Sequence, residues 1–279
     1  MKHLLCFGFG FSAQALAQKL DRAAWRVTGT SRNPEGAVEI TAHGFDGIVF
    51  DDLKAIPDSV THILSSVPPD ENGDAVLRKF GGDLRSRAKH LEWVAYLSTT
   101  GVYGDRVGAV VDENSILQPN TERGHRRVQS EAGWRAVENL PLHIFRLAGI
   151  YGPGRNALES LKSGKAQRII KPGQIFSRIH VEDIAGILRA SINRPNAGRI
   201  YNMADDEPCP PQDVITYAAA LLAIAPPPEI QFEQAKLSAM ARSFYADSKR
   251  VSNARVKSEF GYELQYPNYR VGLKALLKG

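Results

Sequence analysis

The chain has 279 residues, of which 43% are hydrophobic and 23% charged, close to the globular average and enough for about two domains. That excludes a disordered chain, a coiled coil and a small scaffold held by disulfides or metal. The 35 Lys and Arg against 30 Asp and Glu leave a net charge of +5, scattered as single residues in the manner of a solvated surface. No recognition-helix, zinc or aromatic-platform signature accompanies it, so no nucleic-acid partner is expected.

Cys6 and Cys209 are the only cysteines. They have no His or Cys neighbours at zinc spacing, so neither a disulfide framework nor a metal site is expected, and a reducing cytoplasm is the default. The opening segment imitates a signal peptide, but Gly8 and Gly10 interrupt its apolar stretch. With no later run approaching 18 apolar residues, neither export nor a membrane span is expected.

The apolar run Leu4–Phe7 ends in Gly8-Phe9-Gly10, after which Ala13, Leu16, Ala17 and Leu20 recur at helical spacing. Strand, glycine turn and helix are predicted in that order. Short apolar runs closed by breakers follow at Trp25–Thr28, Ile48–Phe50 and Thr61–Ser66. A helix over Asp74–His90 then leads to a strand at Trp93–Ser98, and a helix over Arg123–Glu138 leads to a strand at Leu142–Leu147. This alternation predicts an α/β fold of the Rossmann type, a doubly wound parallel sheet with ligands at its carboxyl edge. Beyond Gly152 the alternation loosens into a helix at Val181–Asn193, a strand at Ile200–Met203 and Pro-rich connections at Pro208–Pro211 and Pro226–Pro228. Residues 1–152, completed by parts of 175–205, are read as the nucleotide-binding domain, and 153–279 as a smaller mixed α/β substrate lobe.

Gly8-Phe9-Gly10-Phe11-Ser12-Ala13 is a G-x-G-x-x-A pattern placed after a strand and opening a helix. Gly8 permits the tight turn, Gly10 lets a pyrophosphate approach the backbone, and Ala13 allows close helix–strand packing. The helix N-terminus would hold the phosphates. At the end of the second strand an acid would bind a ribose 2′-hydroxyl, whereas Thr28-Gly29-Thr30-Ser31-Arg32 has none. Arg32 suits a phosphate monoester. NADP is therefore expected, with NAD as the alternative.

Four segments carry a more specific resemblance: Leu97-Ser98-Thr99-Thr100-Gly101-Val102-Tyr103-Gly104-Asp105, Arg146–Arg155, Arg178-Ile179-His180-Val181-Glu182-Asp183-Ile184-Ala185, and Tyr201-Asn202-Met203. In this order they resemble landmarks of the extended short-chain dehydrogenase/reductases, the family of nucleotide-sugar epimerases and dehydratases. The glycine pattern is closer to that family's atypical members. The resemblance implies that Thr99 hydrogen-bonds the reacting oxygen and that Asp51 and Asp52 lie near the adenine. It also implies that Ser65, Ser66 and Val67 line the riboses, and that Arg178 contacts a substrate phosphate. Tyr103, near a strand end, is a candidate on the substrate side although packing is the leading reading for it, while His180 and Asp183 are expected to be structural.

One departure matters more than these matches. The family's Tyr-x-x-x-Lys pair ends four residues before a glutamate. Counting back from Glu131 puts Arg127 at the lysine position and Arg123 at the tyrosine position. The tyrosine moves the proton while a hydride passes to or from the nicotinamide, a task closed to a guanidinium. Arg127 is left to hold a ribose and Arg123 to bind a carboxylate or phosphate. The resulting expectation is an NADP-binding oxidoreductase or epimerase-like enzyme acting on a small anionic or sugar-like substrate, with a homodimer as the candidate assembly. The alternative is a non-catalytic, NADP-responsive binding protein.

Overall fold

The computed structural model describes residues 1–278, the side chains of Ala239 and Met240 excepted. The first half of the chain forms β1 (Lys2–Phe7), α1 (Phe11–Lys19), β2 (Trp25–Ser31), α2 (Pro34–Ala42), β3 (Asp46–Val49), β4 (His62–Ser65), α3 (Ala75–Arg87), β5 (Trp93–Thr99), β6 (Val110–Val111) and α4 (Glu122–Arg135). The second half forms β7 (Leu142–Leu147), β8 (Gly149–Tyr151), α5 (Ala157–Lys162), β9 (Arg168–Ile170), β10 (Arg178–His180), α6 (Val181–Asn193) and β11 (Ile200–Met203). It ends with α7 (Pro211–Leu221), β12 (Glu229–Gln231), α8 (Ala239–Phe244), β13 (Arg250–Val251), α9 (Ala254–Phe260) and α10 (Tyr269–Lys278).

Seven strands form one parallel sheet in the order β11-β7-β5-β4-β1-β2-β3. The predicted Rossmann topology is present: β1 lies between β2 and β4, Cys6 opposite Gly29 and Phe7 opposite Ser65. Residues 3–7 are all buried because helices cover both faces of a parallel sheet. On one face Leu5, Phe7, Ile63, Tyr96 and Ile144 pack with Val76, Phe80, Leu84 and Trp134. Asp74 starts α3 by accepting from the amides of Val76 and Leu77, and its other carboxylate oxygen accepts from Trp134 Nε1 at 2.9 Å. At the amino ends of the strands, buried His62 lies between Trp25 and Trp93, with ring centroids 4.7 and 6.4 Å away.

Two findings differ from the sequence reading. A helix, α2, joins β2 to β3, capped by Asn33 and opened by Pro34. The prolines at 210 and 211 are a cap and a first helical residue, since α7 begins at Pro211. The chain divides into two interleaved units, one of residues 1–99, 125–146 and 184–201, the other of residues 100–124, 147–183 and 202–279. Segments following the carboxyl ends of β5, β7 and β11 belong to the second unit. That unit has its own core of Leu158, Cys209, Val214, Ala218, Tyr269 and Leu273. No helix among the described residues is long and apolar enough to cross a membrane.

Candidate functional site

In the first unit β1 runs into Gly8, whose φ of +79° is left-handed. A Cβ there would lie 2.9 Å from Ser66 Oγ, so both the angle and the space require glycine. Two neighbouring strands hold the turn. The Gly8 amide donates to Thr30 Oγ1 at 2.9 Å, the Phe9 amide donates to Thr30 O at 3.2 Å, and Ser66 Oγ donates to Gly8 O at 2.9 Å. Gly10 then caps α1 without any side-chain hydrogen bond, and a Cβ on Gly10 would meet nothing within 4 Å. The first-turn amides of α1 therefore face an open approach over bare backbone, the arrangement that receives an anion.

The expected cofactor residues separate into groups. The Phe9 ring is buried against Phe45, at 5.4 Å between centroids, so that only its backbone belongs to the turn. Phe11 is half-buried and Ser12 buried at the start of α1. At the end of β2, Ser31 is half-buried and Arg32 is exposed without a hydrogen bond or ion pair to any described residue. Asp51 and Asp52 lie exposed in the turn after β3, where the carbonyl of Asp51 accepts from Lys54 and Lys79. Ser66 and Val67 are half-buried beside Gly8, while Ser65 is fully buried and its hydroxyl has no partner among the described residues.

Helix α4 is fastened to β5 by two contacts. Ser98 Oγ donates to Glu131 at 2.6 Å, and Glu131 is also gripped by Arg146 through Nε at 3.1 Å and Nη2 at 2.7 Å. One turn earlier, buried Arg127 donates from Nη1 to Leu97 O at 2.6 Å and to the Tyr96 hydroxyl at 3.1 Å. Its Nε is buried without a partner among the described residues. Burial pushes the Tyr96 phenol up, against the pull of the neighbouring Arg127 charge. The count back from Glu131 thus falls on an α4 residue whose guanidinium reaches the end of β5, where Thr99 is the last strand residue and half-buried. Arg123, by contrast, belongs with Phe244 to the second unit; it is exposed, its guanidinium 5.9 Å from the Phe244 ring. No tyrosine or lysine is present in α4.

Within the second unit Tyr103 is fully buried and donates to Asn202 Oδ1 at 2.7 Å, which makes it part of the packing rather than of an accessible surface. Arg178 is half-buried and donates from Nη1 to Phe176 O at 3.0 Å and to Cys209 Sγ at 3.1 Å. Asp183 accepts from the amides of Gln265 and Tyr266 and from the Tyr262 hydroxyl. His180 is buried against Tyr151 and Tyr266. Both residues thus hold the unit together.

Two ionisable groups of this unit escaped the sequence reading. Asp205 is 2% exposed and its Oδ2 has no partner among the described residues; burial pushes its carboxyl up to about 8. Lys249 is buried, donating to Gly104 O at 2.9 Å and to Asp247 Oδ2 at 2.8 Å, and burial draws its ammonium down while Asp247 opposes the shift. Neither belongs to a local spacing pattern; only the adjacency of Asp205 to Tyr201-Asn202-Met203 pointed to that region. Among the described residues no group of three His, Cys, Asp or Glu side chains could hold a metal ion.

No protein-family model matches the chain. The curated Protein YeeZ of Escherichia coli strain K12 is 28% identical over 288 residues, covering 96% of this chain and 97% of that protein. A conserved protein of unknown function from Silicibacter pomeroyi is 53% identical with a TM-score of 0.96, covering 100% of this chain and 99% of that one. A putative NAD-dependent epimerase/dehydratase from Methylobacillus flagellatus is 26% identical with a TM-score of 0.74, over 99% of this chain and 97% of that one. Human epimerase family protein SDR39U1, determined with NADPH, is 19% identical with a TM-score of 0.74 over 100% of this chain and 99% of that one, and shows the shared fold alone. The glycine turn, the parallel sheet and the ordered landmark segments agree with these likenesses. The chain has the fold of the extended short-chain dehydrogenase/reductases and is similar to proteins of epimerase/dehydratase type.

Proposed function

We propose that this protein is an NADP-dependent oxidoreductase or epimerase/dehydratase-like enzyme acting on a small anionic or sugar-like substrate. The observation that carries the reading is the turn Gly8–Gly10, where a left-handed glycine, an open backbone and an uncapped helix N-terminus converge. A dinucleotide fits these residues: the turn and the α1 amides would hold the pyrophosphate, and Arg32, exposed and without a partner among the described residues, would meet a 2′-phosphate. Ser65 and Arg127 each bring a buried polar atom without a partner among the described residues, suited to ribose hydroxyls. A bound nicotinamide supplies hydride transfer. Thr99 would hydrogen-bond the reacting oxygen; Arg123 and Arg178, in the second unit, are candidates for binding an anionic group. Cys6 and Cys209 are buried and unpaired, which supports a reducing, cytoplasmic setting.

One observation favours a second reading, a non-catalytic protein that responds to NADP. Helix α4 lacks a proton-transfer tyrosine, and Arg127 is anchored to the carbonyl of Leu97. Reduced-nicotinamide absorbance over nucleotide sugars, sugar acids and aldehydes, with Thr99→Ala as control, separates the two. Turnover lost in Thr99→Ala is the expected result; tight cofactor binding without turnover on any substrate would favour the sensor. Arg32→Glu should weaken NADPH far more than NADH, and equal loss of both would refute the assignment of Arg32.

A further inference from the structure

We infer that Thr30 is a positioning residue that couples the glycine turn to the end of β2, and thereby sets the discrimination between NADPH and NADH. The inference rests on the NADP reading and deepens it. Thr30 is 2% exposed and meets the turn twice, through its side-chain oxygen on the Gly8 amide at 2.9 Å and its carbonyl on the Phe9 amide at 3.2 Å. The residue before it explains why the two segments lie so close. A Cβ on Gly29 would sit 2.4 Å from Phe9 Cδ2, so the Phe9 ring rests directly on the backbone of β2. The residue after it, Ser31, accepts from the Phe50 amide at 2.7 Å and shares a 3.2 Å hydrogen bond with Asn33, the cap of α2. Arg32 projects from this short bridge with no described partner of its own, so its placement is inherited from its neighbours.

The opposite side of the turn is held separately, by Ser66 Oγ on Gly8 O. Removing the Thr30 hydroxyl therefore leaves the pyrophosphate cradle attached to β4 while loosening its register with the strand that carries Arg32. Valine keeps the branched shape a strand favours and removes the acceptor; serine keeps the acceptor. Because Thr30 is buried beneath the turn, its effect on discrimination runs through Arg32.

Calorimetric affinities for NADPH and NADH, measured on the full chain for the wild type, Thr30→Val, Thr30→Ser and Arg32→Gln with melting temperatures alongside, test this. The wild type should prefer NADPH and Arg32→Gln should lose the preference. Thr30→Val should lower the NADPH-to-NADH affinity ratio about fivefold, the order of one hydrogen bond, with little change for NADH. Thr30→Ser should restore the ratio. Equal weakening of both cofactors, or a shift in melting temperature alone, would make Thr30 merely structural and overturn the inference. An unchanged ratio in Thr30→Val beside a lost preference in Arg32→Gln would sink the inference and spare the NADP reading. A wild type without preference for NADPH would remove that reading itself. Should Thr30→Val not fold, Thr30→Ala gives the same ratio.

Discussion

Ser98 and Glu131, 33 residues apart in the chain, are joined by a 2.6 Å hydrogen bond that fixes α4 against the last turn-side residues of β5. Glu131 and Arg146, which completes the contact, are each almost wholly buried. Such a pair contributes little net stability when intact, because desolvation offsets its attraction, yet losing one partner strands the other charge. Glu131→Gln should therefore cost about 3–5 kcal/mol in denaturant unfolding. A loss below about 1 kcal/mol would show that water reaches Arg146.

The two glycines of the turn should behave differently. Gly8→Ala places a side chain at a φ of +79° and 2.9 Å from Ser66 Oγ, and should destabilise the fold by about 1–3 kcal/mol. Gly10→Val enters open space at the start of α1, so the melting temperature should barely move while binding of NADPH and NADH is abolished. Unchanged cofactor affinity in Gly10→Val would remove the pyrophosphate from this turn.

Asp74 serves two elements at once, capping α3 and accepting from Trp134 on α4. Asp74→Ala forfeits the cap and leaves a buried indole N–H unpaired, together about 2–4 kcal/mol. Asp74→Asn keeps an acceptor and should cost less than half of that. Equal losses in the two variants, measured by chemical denaturation, would show that one acceptor oxygen cannot replace the two that Asp74 supplies.

Stability should pass through a maximum near pH 6.5. Burial draws His62 and His143 down to about 4 and His3 in the same direction, from an ordinary 6.5. The stability from keeping them neutral is present above pH 6.5 and is lost as pH falls toward 4, where the unfolded chain takes up their protons. Asp205 has the opposite sign, since its carboxyl is raised from 3.8 to about 8. The stability it contributes is present below pH 3.8 and is lost as pH rises through 8. Below pH 6.5 the histidines outnumber Asp205 and stability climbs with pH; above it only Asp205 of this set still titrates, and stability declines. Denaturation midpoints against pH should show the decline flattened in Asp205→Asn, and a decline of unchanged steepness there would mean Asp205 is ionised in the folded protein.

The parts of this protein legible in sequence are those whose physics is local. Short apolar runs marked the sheet strands because a strand buried on both faces must be apolar along its length, whereas the edge strand β3 is only half-buried. The Gly8–Gly10 spacing stood out because a left-handed turn against a helix start restricts residue type position by position. Arg127 was singled out only by counting from Glu131, and its anchoring to Leu97 O and Tyr96 depends on α4 lying against β5.

What lies beyond local pattern required the folded chain. Tyr103 reads as a site residue in its landmark segment, but a partner 99 residues away, Asn202, takes its hydroxyl into the interior. Asp205 and Lys249 carry no signal in their own segments, because desolvation by distant parts of the chain shifts their protonation. Thr30 looks like an ordinary strand threonine until β1 is laid beside β2 and its oxygen meets the Gly8 amide. Spacing along the chain determined where the glycine turn meets a helix start; burial and long-range pairing decided which side chains remain accessible, since both depend on atoms that are neighbours only in three dimensions.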